Sequence, residues 1–442
     1  MKALQVLLAL SILIAIHELG HFLFAKLFKI KVDKFYLFFD IGGVKLFSTK
    51  NNKFLHKIFP KLKDAETDYG IGWLPLGGYC KINGMIDESL DKETLKNEAK
   101  PDEFRTKPAW QRFLVMFGGV LFNFILAFLL YIGILAGWGE SYIENKGNAI
   151  YPNSVSEELG FKSGDEIISF DDYYPSDFSA LQAELIRKNT AVAKVLRDGD
   201  TVNIYIDKAI FPQVLKTPGI FGLAIPFVVD SIPPSSINYG SDLIKGDRII
   251  SIDGTEIAYI QDSHKILQTL DKANIPISFI READTLKTEL IRDSLGRFGI
   301  YASLPKVETK KYNILEAIPA AVILTGKRIN EYVADLRTIT RPSNEAYESV
   351  GSFISLGQIF PSSWDWQLFI NILAILSIML GVMNLIPIPG LDGGHIVFIL
   401  YEIITRKKPS EKFLMVTQII GMLILFAIMI LAFGNDITRL IK

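Results

Sequence analysis

Four stretches of predominantly apolar sequence, 3–25, 113–137, 368–391 and 413–433, each come close to the roughly 20 residues that a helix needs to cross a bilayer. Nothing else in the chain restricts its fold so tightly, because backbone surrounded by lipid must satisfy its own hydrogen bonds. The apolar share is 49% beside 21% charged residues, and the two figures reconcile once the apolar residues are gathered into blocks. Between the second and third blocks, about residues 140–345, the composition is that of a soluble domain. A formal net charge of −1, with no basic stripe interleaved with aromatics, gives no footprint for nucleic acid. The single cysteine, Cys80, excludes a disulfide framework and a cysteine-based zinc site. The opening Met1-Lys2 and apolar run also fit a signal peptide. The run continues past His17 to Phe28 without an A-x-A cleavage site, so it is read as a span.

Lysines crowd the stretch 26–112, and Arg406, Lys407, Lys408 and Lys412 follow the third block. Positive-inside logic places both loops in the cytoplasm, with residues 140–365 and both termini outside. The stretch 34–83 is β-rich, and within it Gly70-Ile71-Gly72-Trp73-Leu74-Pro75-Leu76-Gly77-Gly78-Tyr79 reads as an apolar hairpin that dips into the membrane. The charged stretch 86–103 reads as a solvated helix or linker. In the outer region a pattern G-D-x-I-I-S-x-D occurs twice, from Gly164 to Asp171 and from Gly246 to Asp253. A repeat of this spacing suits two copies of one small domain. The turn-to-strand pattern resembles the PDZ domain, which implies modules that bind peptide carboxyl termini by adding them to a sheet edge. A duplicated β-domain without a ligand fits as well. Residues 313–338 have helical periodicity, with Ile314, Ile318, Val322 and Ile329 set apart from Lys327, Arg328 and Asp335. That pattern suits a helix on the outer membrane surface or a packed soluble helix.

His17-Glu18-Leu19-Gly20-His21 carries the chemistry. Histidines at i and i+4 of a helix share a face and can reach one metal ion, and the glutamate beside them can take a proton from water. Some thirteen apolar residues precede His17, which puts it about 20 Å along the helix. Ionisable groups at such a depth are functional candidates by default. A catalytic zinc takes three protein ligands and keeps one open position. The third is sought in Asn384-Leu385-Ile386-Pro387-Ile388-Pro389-Gly390-Leu391-Asp392-Gly393-Gly394-His395, whose prolines and glycines interrupt a helix at membrane depth. Asp392 is the first choice and His395 its competitor. A divalent-metal transporter, or a membrane scaffold with a structural zinc, would also place such residues in a span.

Together, HELGH on the first apolar segment, GIGWLPLGGY after it, the paired PDZ-like modules and NLIPIPGLDGGH in the third segment resemble the site-2 protease family of intramembrane zinc metalloproteases. Within it they are most similar to the regulator-of-sigma-E protease group of bacteria. The resemblance implies one zinc ion held by His17, His21 and Asp392, with Glu18 as general base. It also implies substrate contacts by Asn384, Pro387 and Pro389, and a membrane-dipping β-element at Gly70, Gly72, Leu74, Gly77 and Gly78. It implies single-span membrane proteins as substrates, trimmed anti-sigma factors or remnant signal peptides among them, and a bacterial inner membrane as the location. The segments Gly118–Asn123 and Val350–Ser355 each lack a proline common in the family, and Tyr239-Gly240-Ser241 departs from the usual PDZ turn.

The expected architecture is therefore a polytopic α-helical membrane protein with four transmembrane helices, a membrane-associated β-hairpin or sheet, and two PDZ-like α+β modules. An N-terminal membrane part, 1–137, holds spans at about 3–28 and 110–137 and the β region at 34–83. The modules follow at 140–224 and 225–308, then an amphipathic juxtamembrane segment at 309–365. The C-terminal membrane part, 366–442, holds spans at about 366–386 and 413–434. Partners expected are the substrate and the bilayer, peptide carboxyl termini at the modules, and no nucleic acid.

Overall fold

The computed structural model describes residues 1–62, 65–75, 77–85, 98–341, 347 and 350–441. Leu76 and the charged stretch up to residue 97 lie outside them. The chain divides into two units, one of Met1–Glu140, Lys311–Arg337 and Tyr347–Lys442, the other of Ser141–Lys310 and Thr338–Ala346.

The first unit is built on helices α1 (Lys2–Leu27), α2 (Ala109–Gly137), α3 (Ile314–Ile339), α4 (Phe353–Ile359), α5 (Trp366–Leu385), α6 (Asp392–Thr405) and α7 (Glu411–Ile441). Four of them, α1, α2, α5 and the Lys412–Arg439 part of α7, are long and apolar enough to cross a membrane. Helix α5 stops at Leu385 because Pro387 and Pro389 have no N–H to give, and Ile386, ahead of a proline, turns extended at φ −63° and ψ 135°. Gly390 reverses the chain at φ +106°, and α6 begins at Asp392.

Where α1 crosses α2 the backbones nearly touch. A Cβ on Gly20 would lie 2.2 Å from the Gly118 carbonyl oxygen, so only glycine permits this approach. Helix α2 also packs against α5, where Ser377 Oγ donates to the Asn123 carbonyl at 2.7 Å. Helix α3 lays Ala317 and Ala321 among Tyr131, Ile134 and Leu135 of α2. Its other face leaves Ile314, Leu315, Val322 and Ile323 exposed.

After α1 come four strands, β1 (Val32–Leu37), β2 (Lys45–Ser48), β3 (Asp68–Gly72) and β4 (Tyr79–Ile82), in the order β2-β3-β1-β4. Residues 70–79 are therefore no hairpin: β3 and β4 do not pair, and β1 lies between them, parallel to β3 and antiparallel to β4. The glycines that looked like turn residues mark close packing. A Cβ on Gly70 would sit 2.5 Å from Cζ of Tyr36, and one on Gly72 would sit 2.3 Å from the carbonyl carbon of Phe39. The Tyr36 hydroxyl, reaching over Gly70, donates to buried Asp68 at 2.7 Å. Ser48 Oγ, Thr49 Oγ1 and the Lys50 N–H donate to the same carboxylate. Burial pushes the Asp68 carboxyl up, but these donors outweigh it and hold it below the usual carboxylate range.

The second unit contains two modules of like construction. In the first, β6 (Glu166–Phe170), β7 (Val192–Arg197) and β8 (Asp200–Tyr205) form a meander beside the pair β5 (Ile150–Pro152) and β9 (Phe221–Leu223). In the second, β10 (Val229–Ser231) pairs with β15 (Tyr301–Ala302). Its larger sheet runs β12 (Thr255–Glu256), β11 (Arg248–Ile252), β13 (Asn274–Arg281), β14 (Asp284–Ile291). The repeated sequence pattern encodes one turn in both. Gly164 and Gly246 adopt φ +95° and +97°, a region that favours glycine. The aspartates that follow are buried: Arg197 Nε donates to Asp165 at 2.7 Å and Arg281 Nε to Asp247 at 2.8 Å. The Arg281 guanidinium holds the Asp247 carboxyl below its ordinary range. Each module has its own core, around Phe161, Phe170 and Leu181 in the first and Phe227, Ile252 and Phe279 in the second.

Candidate active site

His17 and His21 stand one turn apart on α1, with their Nε2 atoms 3.2 Å from each other. Asp392, the first residue of α6, brings Oδ2 to 3.2 Å from His17 Nε2 and 3.3 Å from His21 Nε2. Three donors bound at about 2.0–2.1 Å around a tetrahedral centre lie about 3.3–3.4 Å apart, so this triangle has the size of a zinc ligand set.

The hydrogen bonds around the triangle fit a cation at its centre. His21 Nδ1 lies 2.8 Å from the Val115 carbonyl oxygen and must carry the proton there, which leaves Nε2 as a lone pair directed at Asp392. Asp392 Oδ2 is buried, and among the described residues no donor other than the two imidazoles comes near it. A carboxylate oxygen left without a donor beside two imidazole lone pairs is costly unless a positive charge joins them. Two nitrogens and one carboxylate oxygen suit zinc, with a position left open.

Two residues that the sequence reading did not assign to the site hold the imidazoles. Asn123 of α2 places its side-chain amide 3.1 Å from His17 Nδ1, and its Oδ1 is buried without a partner. With the amide turned so that Oδ1 accepts the Nδ1 proton, both groups are satisfied and His17 Nε2 is freed in the same way as that of His21. The second is Gly119, whose absent Cβ makes room for both rings. A Cβ there would lie 2.4 Å from His21 Nε2 and 2.7 Å from His17 Cε1. Alanine in place of glycine inside a helix ordinarily gains about 1 kcal/mol. At Gly119 the opposite is expected: Gly119→Ala displaces the rings and lowers zinc affinity about 10–100-fold, the loss typical of disturbed support around a metal ligand. Competition of the purified variant with a zinc chelator measures it, and unchanged affinity would show that the rings have slack.

The triangle opens on a cavity of about 600 Å³, which Glu18, Asn384 and His395 also line, together with Gly78 and the four residues of β4. The Cys80 N–H faces the Glu18 carboxylate. Asn384, in the last turn of α5, brings Nδ2 to 3.5 Å from His17 Nε2. Of the residues singled out from sequence, the structure thus gathers His17, Glu18, His21, Asn384, Asp392 and Gly78 around one space. Gly70, Gly72, Leu74 and Gly77 are not on its lining. Gly77 packs on the Phe39 ring, and Leu74 bridges to Phe39 across the sheet. Pro387 and Pro389 shape the turn that carries Asp392. His395 lies outside the three-ligand triangle. His56 bonds the Thr49 carbonyl, and His264 belongs to the second module.

Apolar helices around a buried pair of imidazoles, a carboxylate and an adjacent glutamate define a class, the metallohydrolases whose site is assembled between membrane helices. The sequence model of Peptidase family M50 matches residues 5–428, and the chain belongs to that family. Similar proteins named "Putative zinc metalloprotease" occur in Borreliella burgdorferi, 30% identical over 92% of this chain and 91% of the relative, and in Thermotoga maritima, 26% identical over 98% of both. A relative of the same name from Vibrio cholerae is 26% identical, again over 98% of both chains. The chain is thus a membrane zinc metalloprotease.

Proposed function

We propose that this protease cleaves single-span membrane proteins within their transmembrane segments, with zinc on His17, His21 and Asp392 and with Glu18 as general base. The observation that carries the reading is the meeting of three ligand atoms and Glu18 on one cavity among apolar helices. Bound there, zinc supplies Lewis acidity, making hydroxide available near neutral pH and polarising a carbonyl oxygen. Glu18, which the Cys80 N–H faces, takes the proton from the attacking water and delivers it to the leaving nitrogen.

A helical substrate hides its peptide bonds and must unwind, and each amide so freed in lipid costs several kcal/mol if left without a partner. β4 is an edge strand of its sheet, and four consecutive residues of it line the cavity. An extended substrate can add to that edge, with Asn384 donating to a carbonyl near the metal.

The two modules are read as PDZ-like domains on the outer face that exclude substrates with bulky outer parts. This agrees with the resemblance to proteases that cut after an earlier trimming. By the same resemblance the substrates are trimmed anti-sigma factors or remnant signal peptides, in a bacterial inner membrane with the active site nearer the cytoplasm. In proteoliposomes, deletion of 141–310 is expected to speed cleavage of an untrimmed single-span substrate at least several-fold and to leave a trimmed one unchanged. A chelator should stop both. Loss of cleavage of the trimmed substrate would show that the modules recognise its new carboxyl terminus instead. Zinc transport without any cleavage would sink the protease reading of this site.

A further inference from the structure

Helix α7 brings to the zinc cavity one side chain that the chemistry described above leaves unused. Gln418 is only 3% exposed and lines the same cavity as Glu18 and Asp392. Its amide makes no hydrogen bond among the described residues, and its polar atoms are not sealed off but keep access to the cavity. It is no stray polar group on a lipid face. Ile419, Ile420, Leu423 and Ile424 of α7 are exposed, whereas Gln418 and Gly421 are buried, and Met422, though partly open, borders the same cavity. Gly421 fixes that face against the turn carrying Asp392: a Cβ on it would fall 1.3 Å from the Pro389 carbonyl oxygen. The helix therefore cannot roll Gln418 away without breaking that contact.

A carboxamide offers a donor and an acceptor side by side, and burying one without partners inside a membrane is unfavourable. A ligand with the same paired character is an extended peptide, whose residues present N–H and C=O together, alternately to either side. The β4 edge can satisfy one side of such a strand and leaves the other side bare. Gln418 reaches the cavity from a different wall, α7. We infer that Gln418 binds the backbone of the unwound substrate, pairing with the N–H and C=O that β4 cannot reach. The inference rests on the proposed cleavage of membrane-embedded segments. It makes Gln418 a residue for substrates in general, blind to their side chains.

The test uses the full-length protein in proteoliposomes with single-span substrates that differ in sequence around the cleavage site. Gln418→Leu, of similar volume and well suited to a membrane helix, is expected to lower kcat/KM about 10–100-fold, by the same factor for every substrate. Zinc content and thermal stability should stay at the wild-type level. Gln418→Glu keeps the acceptor and loses the donor, and an intermediate loss is expected. Unchanged kcat/KM in both variants overturns the inference, as does a loss that reorders the substrates, which would mean side-chain recognition. Loss of zinc or stability in both variants would make Gln418 a structural residue and equally overturn it. A wild-type protein inert towards every substrate would instead remove the proposed function, and the role of Gln418 with it.

Discussion

Glu18→Gln is expected to retain one zinc per chain while proteolysis falls about 10³-fold, within the range that a general base contributes. Glu18 lies outside the ligand triangle, so the substitution removes no metal donor. Glutamine has the size and hydrogen-bonding reach of glutamate, and the Cys80 N–H can still find an oxygen. What is lost is the ability to accept a proton. Metal analysis and single-turnover cleavage on the same preparation measure the two consequences separately. Loss of zinc would place Glu18 among the ligands. Full activity would require another base, and the other described carboxylates on the cavity are Asp392, which is engaged as a ligand, and Asp40, which is engaged with Lys34 and Tyr79. A transporter or a scaffold has no need of a proton acceptor beside its metal, so the variant also separates the reading proposed here from those two classes.

How much of this was legible in the sequence depended on whether the signal was local. The four spans were, because length and apolarity within one segment decide them. The facing of His17 and His21 was too, since a helix fixes the geometry of i and i+4. Asp392 could be nominated across a separation of 371 residues from His21 because a carboxylate at membrane depth demands a partner. The β-rich character of 34–83 was legible, but the hairpin at 70–79 was misread for the opposite reason. Glycine-proline punctuation at 70–79 looks like a local turn, but the pairing that wins is non-local, with β3 alongside β1 in parallel and the glycines accommodating Tyr36 and Phe39. Gly119 and Asn123 stood out only as part of a segment that lacks a proline common in the family, and Gln418 not at all, because their roles consist in what stands opposite them. A glycine in an apolar helix is ordinary until two imidazoles are found where its Cβ would be. The repeated Gly-Asp pattern announced a duplication, while the arginine that grips each aspartate lies some thirty residues further on and carries no local mark (Arg197 to Asp165, Arg281 to Asp247).

The choice between Asp392 and His395, open in the sequence, is the other point at which a single substitution should have a large effect. Both residues line the cavity, but only Asp392 completes the triangle. Its placement is built into the backbone. A Cβ on Gly393 would lie 2.4 Å from the Ile386 carbonyl oxygen, and one on Gly394 would lie 2.6 Å from Pro389 Cα, so the chain folds back on the start of α6 as closely as backbone allows. Asp392 also occupies the first turn of α6, where the helix dipole favours a negative charge. Asp392→Ala is therefore expected to abolish proteolysis and to weaken zinc binding more than about 100-fold, beyond the range for residues that merely support a ligand. His395→Ala should keep its zinc and lose activity no more than a few-fold. Chelator competition followed by a cleavage assay reads both quantities. If instead His395→Ala shed the metal and Asp392→Ala held it, the ligand would be the imidazole, and the buried Oδ2 of Asp392 would need some other positive partner in the membrane. Besides histidines, the basic side chains on the cavity lining are Lys34 and Lys81, and Lys34 already donates to Asp40 and Tyr79.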